Sequence, residues 1–174
     1  RAGSSVLGTI HGESARSVYD RVVHDMGISK EAFMATDIVV TMGLSRPGGS
    51  SRPVRRLVEL AEVSRERGPG EFNLLLGEGD RELRQRSETV ARIAASWGME
   101  YQEALENIRA RAEMRQVLID AAARGHCECL GSDWTCRCNE FLWQRMDEGV
   151  TSADQVVEDF RRFVFGRVGI DDLR

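Results

Sequence analysis

His11 closes a run of aliphatic and β-branched residues that begins at Ser4, and the chain then breaks through Gly12 toward Glu13 and Ser14. An imidazole has two distinct ring nitrogens and titrates near neutrality. At the carboxyl end of a strand, where α/β proteins place their ligands, it can donate to an anion or relay a proton. Glu13 lies two residues on and offers a His–carboxylate pair for hydrolysis. No nucleophile or metal ligand stands beside that pair, and a carboxylate stabilised by a helix start accounts for Glu13 equally well. Arg16 and Arg21 supply guanidinium groups of the kind that neutralise phosphate bidentately, although nearly all basic charge in this chain is arginine. His24 reads as a solvated side chain opposite the apolar stripe of its helix.

A second cluster holds all four cysteines. Cys127 and Cys129 form one Cys-x-Cys pair, Cys136 and Cys138 another, with His126 beside the first and Gly131-Ser-Asp133 placed to reverse the chain. In an extended segment, residues i and i+2 share a face. Two such pairs folded together present four thiolates, a donor set for tetrahedral zinc and, less well, for an iron–sulfur cluster. Structural zinc sites more often separate paired ligands by about two to four residues, so free buried thiols and disulfides stand as alternatives. His126 is a spare ligand.

The chain has 174 residues, 41% hydrophobic and 30% charged, with net charge -4. That is enough for one ordinary domain or a domain with an appendage. No apolar run approaches the ~20 residues that cross a bilayer, and no signal-peptide pattern precedes the first strand. The charge disfavours general polyanion binding, and Trp97, Trp134 and Trp143 show no spacing of a nucleic-acid platform.

The elements that must position these residues can be read in order. Ser4 to Ile10 reads as a strand. A parallel strand needs neighbours on both sides, and none precedes it, so the sequence reads as part of a longer protein. Ser14 caps a predicted helix to Met26 with a Val18, Val22 and Met26 stripe, stopped by Gly27. Ser29 to Phe33 is a short turn, Asp37 to Met42 a buried strand, and Gly43 to Pro53 a loop. Arg55–Val63 and Glu71–Leu76 read as a hairpin turned by Gly68-Pro-Gly70. Beyond Gly79 the text is helical. One stripe runs through Leu83, Ser87, Val90, Ala94 and Trp97, and another through Leu105, Ile108, Ala112, Ile119 and Ala122. A final helical pair covers Asn139–Glu148 and Ser152–Phe165, with Ser152 to Gln155 resembling a capping box. Val156, Phe160, Phe163 and Val164 form the apolar face of the last helix. This divides the chain into residues 1–79 and a helical, Cys-bearing region 80–174.

Ser5-Val-Leu-Gly-Thr9-Ile-His11-Gly-Glu13-Ser14 resembles the histidine box of the hexameric ATPases that drive type II secretion, type IV pili and the archaellum, in their archaeal branch. Arg55-Arg-Leu-Val-Glu-Leu60 is similar to the text that follows in that family. The resemblance covers Ser4 to about Leu76 and is loose in the helices. It implies an α/β fold: the distal half of a RecA-like ATPase domain, a sheet with flanking helices, followed by an α-helical tail. It also implies ATP and Mg as cofactors of a homohexamer that couples hydrolysis to assembly or secretion. Such a motor is cytoplasmic, sits at the inner face of the membrane against a platform protein, and binds no nucleic acid. His11 would then be the catalytic residue that senses the γ-phosphate, with Thr9, Glu13, Arg16 and Arg21 near the nucleotide. A P-loop needs Gly-x-x-x-x-Gly-Lys-Ser/Thr, whereas Lys30, the single lysine, sits in Ile28-Ser-Lys-Glu31. The phosphate-binding lysine and the Walker B carboxylate are therefore expected upstream of Arg1, in a Walker A/B region that partners this one. The family does not generally carry the cysteines, which would be a local zinc-bound elaboration. The competing reading is a metal-stabilised helical interaction domain with no enzymatic role.

Overall fold

The computed structural model describes residues 5–150 and 152–170, so Ser4 lies outside the described residues. The chain is mixed α/β, with a three-stranded antiparallel sheet and flanking helices. It divides into two compact units, Arg1–Ile93 and Ala94–Arg174.

In the first unit α1 (Ala15–Asp20) continues as a π-helical turn, Arg21–Asp25, and is followed by α2 (Lys30–Phe33). Ser14 caps α1 as its sequence predicts: its hydroxyl accepts from Ser17 N at 3.1 Å while Ser17 Oγ accepts from Ser14 N at 3.0 Å. The strands β1 (Ile38–Ser45), β2 (Val54–Val63) and β3 (Phe72–Gly77) then form a meander in the order β1-β2-β3. Alternation sets the two faces of this sheet. Val39, Ala61 and Val63 pack with Ala15, Val18, Tyr19 and Phe33 into one core. Tyr19, Phe33 and Phe72 meet edge to face there. The hairpin loop closes on the same core: Gly70 has φ +84°, and a Cβ there would come 2.9 Å from Tyr19 Cζ.

Glu62 is fully buried on the opposite face of β2. Its carboxylate accepts from Ser87 Oγ at 2.7 Å, Glu88 N at 2.8 Å and Thr89 N at 2.5 Å. It thus satisfies orphan donors at the start of α3 (Glu88–Trp97), where the helix dipole also favours an anion. Glu88 answers by accepting from Ser64 Oγ at 2.6 Å and Arg65 N at 2.8 Å. Asn73 bridges the pair, donating to Glu88 at 2.9 Å. Asp37, just ahead of β1, accepts from Arg65 at 2.9 Å and Arg92 at 2.5 Å.

The second unit is a helical bundle of α4 (Tyr101–Ala123), α5 (Ser132–Asp147) and α6 (Ala153–Val168), with a 3-10 turn at Cys127–Leu130. Its core holds Met114, Val117, Leu142, Phe160, Val164 and Phe165. Ser152 caps α6 by accepting from Gln155 N at 3.3 Å. Arg111 ties α4 to α5, donating to Asn107 at 2.8 Å and Asn139 at 2.7 Å.

Four expectations are corrected. Val6–Ile10 forms no strand: Val6 and Leu7 are 93% and 94% exposed, and no described strand pairs with the run, so it gains neither ladder nor burial. The loop expected from Gly43 starts later, because β1 continues to Ser45. The helix expected from Leu83 starts at Glu88. Arg84 N donates to Leu75 O at 2.9 Å and Gln85 Nε2 to Leu74 O at 3.0 Å, which holds this segment against β3. On α4 the buried face is Ala104, Ala110, Met114, Val117, Leu118 and Ala121, while Ile108 and Ile119 are 49% and 50% exposed. That helix carries two apolar stripes, and small alanines let the bundle close on the first.

Glu62 makes stability depend on acid. Burial pushes its pKa up, but the bonds from Ser87, Thr89 and Glu88 outweigh this and hold it below the ordinary 4.5. A depressed carboxylate contributes stability above its unfolded value and loses it as pH falls through the native one. Urea midpoints should therefore fall steeply below about pH 4.5. In Glu62→Gln that dependence should flatten, with a loss of about 2–3 kcal/mol at neutral pH. An unchanged midpoint in the variant contradicts this assignment.

Candidate functional site

His11 lies in irregular, exposed chain just before α1, so the expected placement at the end of a strand is corrected along with the strand itself. Its neighbours are nonetheless firmly held. A Cβ on Gly12 would come 2.6 Å from Val18 Cγ2, so only glycine lets the backbone lie this close to α1. Glu13 N donates to Ser17 Oγ at 2.9 Å. Ala15 N donates to Glu59 Oε1, which also accepts from Thr41 Oγ1 at 3.3 Å. The start of α1 is thereby pinned to β2.

His11 lines a shallow depression of about 500 Å³ with Glu13, Ser17, Asp20, Arg21, His24 and Asp25. His24 shares this face, which its position opposite the apolar stripe of its helix allows. Its Nε2 is 3.9 Å from Asp20 Oδ1. Arg21 is thus brought together with His11. Arg16 does not line the depression but sits at its border: its Nε lies 3.5 Å from Asp20 Oδ1, its Nη1 donates to Gly70 O at 3.1 Å, and its guanidinium lies over the Tyr19 ring at 5.4 Å. Thr9 is exposed and does not line the depression.

Chemically, the depression offers two imidazoles, a hydroxyl and one guanidinium against three carboxylates. An imidazole there can donate to an incoming phosphate oxygen or carry a proton between groups. Glu13, Asp20 and Asp25 outnumber Arg21 on this lining even with Arg16 paired to Asp20 at 3.5 Å, so a triphosphate would need cationic groups from elsewhere.

The cysteines do not adopt the extended pairs expected of them. Cys127 and Cys129 lie in a 3-10 turn, and Cys136 and Cys138 in the second turn of α5, which begins at Ser132 rather than Asn139. On a helix, residues i and i+2 diverge by about 200°. Cys129 and Cys138 are accordingly buried in the bundle core, whereas Cys127 and Cys136 are exposed. Burial pushes the Cys129 thiol up, and adjacent Glu128 adds to this. Burial also raises Cys138, although Arg115 and Arg111 pull against it. Both buried groups are therefore thiols at neutral pH rather than thiolates. Among the described residues, no group of three or more His, Cys, Asp or Glu side chains is placed to share a metal ion. His126 Nδ1 lies 3.3 Å from Glu128 Oε1. Zinc ligation by all four cysteines would require thiols that now face core and solvent to converge on one point.

Sequence reasoning missed the carboxylates Glu59 and Glu62. Their signal was an acid inside each apolar stretch of β2, with helix-start text at Ser14-Ala15 and Ser87-Glu88-Thr89. No protein-family model, curated protein or solved structure matches this chain.

The thiol arrangement predicts biphasic modification of the native protein. Cys127 and Cys136 should react with a thiol reagent quickly, and Cys129 and Cys138 only on the timescale of opening the bundle. Four slow thiols together with about one equivalent of zinc would instead establish a metal centre.

Proposed function

We propose that this chain is the distal part of the ATPase domain of a hexameric motor that powers secretion or the assembly of a pilus or archaellum. In this reading His11 acts on the γ-phosphate. The reading is supported by the histidine-box text from Ser5 to Ser14, followed at family spacing by Arg55 to Leu60. The observation that carries it is local to His11: Gly12 packed on Val18, a reciprocal Ser14–Ser17 cap, and Glu59 at the start of α1 fix the backbone beside an imidazole left exposed.

The proposed division of work follows from charge. ATP and Mg would be held chiefly by a Walker A/B region outside this sequence, which supplies the lysine and acid that this chain lacks. His11 would donate to the phosphate whose charge grows during transfer, since such bonds accelerate hydrolysis only when they strengthen in the transition state. Arg21 and His24 line the same depression and would tune its potential. The working assembly is proposed as a cytoplasmic homohexamer at the membrane face, docked on a platform protein. No helix of the described residues is long and apolar enough to cross a membrane.

Two measurements test the proposal. Calorimetry on this chain alone should give no appreciable ATP binding, and micromolar or tighter binding contradicts the charge argument. In the longer protein, His11→Ala should lower kcat by at least about tenfold while changing the Kd for ATP by less than about twofold. Unchanged turnover removes His11 from the mechanism.

A further inference from the structure

The hairpin of β1 and β2 outruns the rest of its sheet. β1 pairs with β2 from Ile38↔Glu62 to Ser45↔Val54, but β3 pairs only with Glu59 through Val63. From Val54 to Val58 the edge of β2 facing β3 has no partner strand among the described residues. The outer edge of β3, by contrast, is covered at Leu74 and Leu75 by Gln85 and Arg84. An open strand edge presents a row of N–H and C=O groups that an extended chain can pair with.

This edge is also strongly charged. Arg46, Arg52, Arg55 and Arg56 fall within it and its tip, and no Asp or Glu occurs between Met42 and Val58, in a chain of net charge -4. All four arginines are exposed. Arg55 and Arg56 are consecutive, so they project to opposite faces of the ribbon. The chain itself shows what an acid does here: Glu78, directly after β3 and in line with it, lies 3.5 Å from Arg56 Nη1.

We propose that the open edge of β2 at Val54–Val58 is a docking site for an acidic, extended peptide of a partner protein, which adds as a strand in line with β3. Backbone pairing with β2 supplies affinity, and carboxylates on both faces of the incoming strand meet Arg55 and Arg56. Neither lipid headgroups nor nucleic acid carries the evenly spaced N–H and C=O groups of an extended backbone that continue a ladder, and the ribbon carries no aromatic side chain on which bases could stack. None of Val54–Val58 lines the depression beside His11, and the proposal does not rest on the motor reading.

The test uses the 174-residue chain and a fluorescein-labelled peptide, Thr-Val-Glu-Glu-Val-Glu-Thr, followed by anisotropy. Saturable binding is expected, weakened at least about tenfold by the double substitution Arg55→Glu with Arg56→Glu and strongly reduced by added salt. A peptide with proline in place of both valines keeps the charge, loses a ladder donor to β2 whichever way the strand faces, and resists the extended pairing, so it should also bind at least about tenfold more weakly. Circular dichroism verifies that the exposed double variant folds. Equal binding of the proline peptide would overturn strand addition in favour of charge alone. Binding of heparin fragments or acidic vesicles as tight as that of the peptide would overturn the peptide as occupant. A concentration-dependent dimer that releases the peptide would assign the edge to a second copy of the chain and overturn it too.

Discussion

A buried carboxylate must find donors or lose its charge, and Glu62 finds them at the first turn of α3. That requirement fixes much of the first unit. It brings Ser87, Glu88 and Thr89 onto the outer face of β2, and it places Glu88 where Ser64, Arg65 and Asn73 can reach it. Because the helix cannot begin before these contacts are made, the residues from Arg84 to Arg86 run beside β3 instead of extending α3 backward. Glu59 does a related job on the inner face, where it receives Ala15 N and Thr41 Oγ1. One strand thus anchors the starts of two helices, one on each side of the sheet.

The consequence for chemistry is that most of the acidic groups near the sheet already have partners. Asp37 shows the same pattern at the surface: burial raises its pKa, but Arg65 and Arg92 pull it below the usual value. What the fold leaves open is different in kind. His11 and His24 border one depression, with His24 Nε2 3.9 Å from Asp20 Oδ1, and among the described residues the β1–β2 ribbon offers ladder groups without a partner strand beside its arginines. Rigid support beneath an exposed group is what binding and catalytic sites require.

Much of this was legible in the residues. Ser14, Ser29 and Ser152 mark helix starts, Gly27 marks a stop, and the turn chemistry of Gly68-Pro-Gly70 locates the hairpin, because these positions have local physical causes. Two kinds of feature were not legible. The fate of Val6–Ile10 depends on whether another strand lies beside it, which no local preference encodes. The choice between two apolar stripes on α4 depends on which face α6 and the Cys127–Leu130 turn can approach closely, and the alanines at 110 and 121 decide that only once the bundle is assembled. The cysteines illustrate both effects: Cys-x-Cys suits an extended pair as well as a helical one, and burial of Cys129 and Cys138 follows from helix geometry.

The central functional claim concerns a single imidazole. The most direct measurement follows the ring resonances of His11, His24 and His126 by NMR in the proposed motor protein, with its Walker A/B region, while a non-hydrolysable ATP analogue with Mg is added. The account predicts a saturable shift at His11, a smaller one at His24 on the same depression, and none at His126 in the helical unit. A His11 resonance that stays fixed at saturating nucleotide would contradict it.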